Sequence, residues 1–132
     1  MQVAPQAQVP VSPSDEQLWS VLSWVLPFVA GFVGPLVIYL IYKDRSYRIR
    51  RHASEALNLQ IVLFAAGVIV VGSIMVSMLL AAKYSIFGFA FAALFLLWFV
   101  IVSLGLVAQV FGIVKAAQNE DYTVPLIPHF VK

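Results

Sequence analysis

Cysteine is absent from the 132 residues, which excludes disulfides, thiol catalysis and thiolate metal sites. Charge is scarce as well. Eight Lys and Arg and six Asp and Glu make up 11% of the chain, and the histidines are His52 and His129 alone. No Gly-rich phosphate loop, His-Glu zinc helix or nucleophile elbow occurs, and the apolar runs hold no carboxylate. We therefore expect no enzyme, no cofactor and no bound metal, and nothing points to nucleic acid.

What is abundant is apolar: 62% of the residues are hydrophobic and the mean hydropathy is +0.96. A soluble fold of this length would leave far more apolar surface than it could bury. The fold class expected is an all-α integral membrane protein with a single membrane domain over residues 14–132. Its helices form a compact bundle of three apolar segments, the first of them broken, which makes three to four helices in all. Residues 1–13, with Pro5, Pro10, Pro13 and no charge, read as a disordered tail.

Ser14-Asp15-Glu16-Gln17 has capping-box spacing, so a helix is expected to start at Ser14 and run to about residue 30. Leu18–Tyr42 is uncharged for 25 residues but carries Pro27, Gly31, Gly34 and Pro35. Proline removes a backbone donor and disfavours helix in the residue before it, so the segment breaks between Pro27 and Pro35. The second part runs over about 34–46. Two readings stay open, one kinked span or a hairpin of two shorter helices. Trp19 and Trp24, with Tyr39 and Tyr42 at the other end, have the character of interfacial anchors or of ordinary packing aromatics.

Five of the eight basic residues, Lys43, Arg45, Arg48, Arg50 and Arg51, follow with Asp44 among them. By the positive-inside rule this 43–52 loop is cytoplasmic and the protein a multi-pass resident of the cell membrane. Topology is the plainer role for the cluster, and contact with anionic lipid headgroups the sharper one. A second helix is expected over 52–82 and a third over 85–118, joined by a turn at Lys83-Tyr84-Ser85 that makes them antiparallel. Lys115 suits a helix C-terminus and Asn119 a left-handed residue that ends it. The remainder, residues 119–132, holds Pro125 and Pro128 and reads as an extended interfacial tail.

Polar residues at the membrane entrance are the candidate site. Arg51 can reach Glu55 at the i,i+4 spacing, and Glu55 and Asn58 share a face. Asn58 and Gln109 each lie six residues in from His52 and Lys115, so at equal depth they are expected to bond across the helix pair. His52 and Glu55 have the i,i+3 spacing of an acid/base or metal pair, but without further ligands interfacial anchoring suits them better. Small residues recur at Ser73, Ser77 and Ala81, at Gly88 and Ala92, and at Ala108, Gly112 and Ala116, where helices could approach closely.

These residues carry a resemblance. Gly34-Pro35-Leu36-Val37-Ile38-Tyr39-Leu40, Lys43-Asp44, His52, Glu55-Ala56-Leu57-Asn58 and Gln60-Ile61, then Lys115-Ala116, Glu120, Tyr122, Pro125-Leu126 and Phe130, resemble a family of small prokaryotic membrane proteins. That family is similar to the membrane subunit of the chloroplast inner-envelope protein import translocon, the Tic channel candidate. Asn119 stands where that family usually has glycine, and Arg50 and Arg51 where acidic residues are common. The resemblance implies three or four helices and favours the hairpin. Its motif takes in His52, Glu55, Asn58 and Gln60, which with Gln109, polar within the third apolar run, form the candidate polar motif. It implies a translocon-like or channel-like protein acting as a homo-oligomer. An accessory or scaffolding subunit of a larger membrane complex is the alternative.

Overall fold

The computed structural model describes residues 11–132; most of the tail expected at 1–13 lies outside them. It is helical, with no strand among the described residues: α1 Pro13–Val25, α2 Pro27–Ala30, α3 Val33–Tyr42, α4 Tyr47–Ala81 and α5 Ile86–Ala117. The chain divides into one unit of residues up to Gln60 with Ala108–Lys132, and another of Ile61–Val107.

In the first unit, Ser12 rather than Ser14 caps α1. Its hydroxyl accepts from the Asp15 amide at 3.2 Å, and Pro13 occupies the first helical position. A proline there has a preset φ and lacks an N–H that the first turn leaves unpaired anyway. Gln17, the expected second half of a capping box, instead donates from Nε2 to the Ala117 carbonyl of α5. Pro27 interrupts the helix at Leu26 without turning the chain, because Leu26 stays right-handed with φ −58° and ψ −31°. The reversal comes at Gly31, whose φ of +59° is strained for any residue with a Cβ. Pro35 falls in the first turn of α3, where its missing N–H again costs no helical bond.

The two arms then lie against each other. Trp19 near the start of α1 stacks on Tyr42 at the end of α3, with ring centroids 5.3 Å apart, and Ser46 donates to Glu16. Leu18–Tyr42 is thus a hairpin whose ends meet. Ile38, Ile49 and Ala53 are buried at its base, under Val11, Trp19, Leu22, Leu26, Tyr39 and Tyr42. Trp24 is no surface anchor: it has no exposed area and sits against Gly112 of α5, where a Cβ would overlap the indole. Gly34 gives the same clearance to Leu26.

The basic cluster is not a loop over 43–52. The connection is Lys43 to Ser46, and α4 begins at Tyr47, so Arg48, Arg50 and Arg51 stand on its first turns. Nothing in that stretch breaks a helix, arginine being a good helix former.

In the second unit α4 and α5 pass antiparallel on either side of the turn at residues 82–85. A Cβ on Gly67 would stand 3.1 Å from the Trp98 ring, and one on Gly105 would stand 2.9 Å from Leu63. Two of the closest approaches are therefore glycine against a large side chain, while the Ser73 hydroxyl is turned back onto the Ile69 carbonyl at 2.8 Å. Both helices are long and apolar enough to cross a membrane. Large side chains such as Phe64, Ile69, Leu79, Phe89 and Leu104 are exposed on them, where the core helix of a soluble protein would bury such groups. The chain is a membrane protein.

Adding a methyl group tests the tightest of these contacts. Gly112→Ala should lower stability in detergent by about 1–3 kcal/mol through overpacking against Trp24. Gly88→Ala, with nothing within 4 Å of the new Cβ, should be neutral or stabilising. Equal effects at the two sites in thermal unfolding would remove the Trp24 contact from the account.

Candidate functional site

From His52 to Leu59 every residue of α4 is buried, so this stretch of helix is enclosed on all sides. Polar side chains there must find partners within the protein, since an unpaired buried group costs about 1–3 kcal/mol. They find them in the C-terminal segment, which leaves α5 through Asn119. That residue takes a left-handed φ of +58°, and the Glu120 amide donates back to the Lys115 carbonyl at 2.9 Å.

His52 reaches first. Trp24 Nε1, which can act only as a donor, lies 3.0 Å from His52 Nδ1, and His52 Nε2 lies 2.8 Å from the Glu120 carbonyl, which can only accept. Both contacts are satisfied by one arrangement, the neutral imidazole with its proton on Nε2. Protonating Nδ1 would set two N–H groups against each other.

Glu55 comes one turn later, with 1% of its side chain exposed. Its Oε2 accepts from the Val124 amide at 3.0 Å and lies 3.1 Å from His129 Nε2. Arg51, the partner expected from spacing, is farther away at 3.9 Å and donates to the Thr123 hydroxyl instead. Asn58 then grips the last residues with both ends of its amide. Nδ2 donates to the Val131 carbonyl at 2.9 Å, and Oδ1 accepts from the Val131 amide at 2.8 Å, the pattern an adjacent β-strand would provide. Tyr39 of α3 completes the set by donating to the Lys132 carbonyl at 2.8 Å. Between these ties Leu126, at φ +65°, is fully exposed, and Val124 is buried. Tyr122 lies 5.7 Å from the Trp24 ring; burial pushes its phenol pKa up, and the charge of Glu55 adds to that.

The expected bond between Asn58 and Gln109 does not form. Asn58 is committed to Val131, and Gln109 donates to the Trp24 carbonyl at 2.9 Å while accepting from Gln60 Nε2 at 3.3 Å. The reason is azimuth: two residues at about 100° each place Gln60 roughly opposite Asn58 around the helix axis, so equal depth does not mean a shared side. Nor do His52 and Glu55 converge, because their polar atoms face different partners. Of the basic residues, Arg50 and Arg51 border a cavity beside the clasp, whereas Lys43 and Arg45 are exposed on the connection.

His52, Glu55, Asn58, Gln60 and Gln109 are legible in the sequence as a polar motif, whereas Trp24, His129 and the tail backbone are not legible as their partners, nor is Thr123 as the partner of Arg51. The signal for His129 was present, since it is the second of two histidines and lies in a segment too apolar to be idle. Chemically, the arrangement is a clasp. The polar atoms of Glu55, Asn58 and His52 are taken up within the chain, and no group of three or more His, Asp or Glu able to hold a metal ion occurs among the described residues.

Double-mutant cycles separate the two sides of α4. Gln60 and Gln109, replaced by leucine singly and together, should show coupling of roughly 0.6 kcal/mol, typical of hydrogen bonds between membrane helices. Asn58 and Gln109 should be additive in the same unfolding assay. The reverse result would restore the bond between Asn58 and Gln109.

No curated protein and no solved structure gives a significant match to this chain, and nothing in these comparisons supports the likeness to the chloroplast translocon subunit. A family model does match, over residues 15–131, which takes in both helix pairs and the whole clasp. The chain belongs to the magnetosome magnetite crystal formation protein family, MamF_MmsF.

Proposed function

We propose that the chain is a non-enzymatic, multi-pass membrane protein that serves magnetite crystal formation as a scaffolding component, packed against other proteins in the membrane. The observation that carries this reading is the use of its buried polar groups. Glu55, Asn58, His52 and Gln109 are all committed to partners within the chain. A catalytic site needs a nucleophile or base facing a reacting atom. Here Glu55 and His129, the carboxylate and imidazole bordering the cavity, face each other.

The role in crystal formation comes from the family's description. Direct liganding of iron suits the chain poorly: Glu55 is tied to Val124 and His129, and Glu120 is paired with Lys115 at 2.8 Å. The long apolar faces of α4 and α5 offer contact to lipid and to neighbouring helices instead. Purification from a magnetite-forming cell in mild detergent tests the reading. Stoichiometric co-purification with other membrane proteins is expected, with altered crystal size when the chain is deleted. A homo-oligomer that conducts ions or peptides would contradict it.

Orientation belongs to the same proposal. The basic stretch from Lys43 to Arg51 faces the cytoplasm, and because the arms of the first hairpin meet, Ser14 lies on that side too. Cysteines introduced singly at Ser14, Tyr47 and Tyr84 into this cysteine-free chain give the test. Impermeant reagent applied to intact cells should label position 84 alone, and labelling at 14 together with 84 would make the first segment a single span.

A further inference from the structure

Beside the clasp lies a cavity of about 360 Å³, walled on one side by the first turns of α4 and on the other by the C-terminal segment. Its volume falls in the range of about 300–1,000 Å³ typical of small-ligand sites. Arg50, Arg51 and Lys132 line it, with the Ser54 and Thr123 hydroxyls. Glu55 is the carboxylate in that lining, and its Oε2 is taken up by Val124 and His129. The Ser54 hydroxyl is spent on the Arg51 carbonyl at 2.9 Å, so the donors this lining offers an occupant are Arg50, Arg51, Lys132 and the Thr123 hydroxyl.

Arg51 adds an independent sign. Its guanidinium is held by Thr123 and, more loosely, by Glu55, yet its Nε is buried with no hydrogen-bond partner. The Arg51 side chain is 35% exposed where it lines the cavity, so the guanidinium N–H groups not held by Thr123 are open to an occupant, and an anionic oxygen is the best acceptor for them. Arg50 sits over the Tyr47 ring at 5.6 Å, which holds the second guanidinium at the rim.

The far wall indicates where the anion comes from. The segment that closes the cavity turns Leu126 and Phe130 outward, fully and 65% exposed, although both are large and apolar. Side chains of that kind are stable against lipid, which suits this wall to the membrane surface. We propose that the cavity binds a phosphate group, supplied by the headgroup of an anionic phospholipid, with Arg50 and Arg51 as its principal donors.

The test uses the full chain purified in mild non-ionic detergent, with lipid binding read by native mass spectrometry and by the shift in melting temperature. Phosphatidylglycerol should bind and stabilise, and phosphatidylcholine should do neither. Arg50→Gln should weaken phosphatidylglycerol binding roughly fivefold, the effect of one basic contact to an anionic lipid. Lys43→Gln and Arg45→Gln, on the exposed connection outside the cavity, should change it less than twofold. Arg51→Lys keeps the charge but loses the planar guanidinium fork, and should also weaken binding. Stabilisation by inorganic phosphate as strong as by the lipid would overturn the headgroup as the source. Equal losses from Lys43→Gln and Arg50→Gln, or equal binding of both lipids, would overturn the site itself.

Discussion

Most of the molecule's first unit depends on one constraint: a helix enclosed on every side must satisfy its own polar side chains. Between His52 and Leu59 α4 has no wet face, yet it carries His52, Ser54, Glu55 and Asn58. Water cannot solvate these groups, so the backbone of the C-terminal segment meets His52, Glu55 and Asn58, and Ser54 donates to the Arg51 carbonyl of its own helix. A stretch with two prolines and no helix or strand thereby acquires a fixed path, because its amides and carbonyls meet side chains that have no other partner. The dependence is mutual. Removing the segment would leave buried carboxylate and amide groups unpaired, at a cost larger than the bonds' own net contribution.

Trp24 links that clasp to the first hairpin. Its indole donates to His52, its ring lies beside Tyr122, its carbonyl accepts from Gln109, and Gly112 makes room for its bulk. One side chain so joins α1, α4, α5 and the C-terminal segment, and each contact uses a different part of the residue. The arms of the hairpin are held in turn by Trp19 on Tyr42 and by Ser46 on Glu16. Polar bonds supply direction in this unit and apolar contacts fill the space between them.

Hydropathy and helix-breaking residues made the membrane class, the apolar segments and the breaks between them legible, because these follow from local composition. Asn119 was readable for the same reason, a left-handed terminus being a property of one residue and its neighbours. Pairings were not. Counting from the helix ends gave Asn58 and Gln109 the same depth but carried no information about azimuth, and Gln60 holds the position on the Gln109 side. The sequence leaves Trp24 open between interfacial anchor and packing aromatic, because what it packs on, Gly112, is distant in sequence. The cap at Ser12 could have been read, since a serine followed by proline is a stronger start signal than a serine two residues on. The basic run looked like a loop because charge was weighed above propensity, although Arg48, Arg50 and Arg51 are compatible with the helix they occupy.

Site-resolved amide hydrogen exchange in detergent tests the clasp most directly. Alternation is expected along the C-terminal segment: slow exchange at Val124 and Val131, whose amides bond to Glu55 and Asn58, and fast exchange at exposed Leu126 between them. Glu55→Gln should speed exchange most at Val124. Uniformly fast exchange from Glu120 to Lys132 would contradict the account, because the buried face of α4 would then hold nothing.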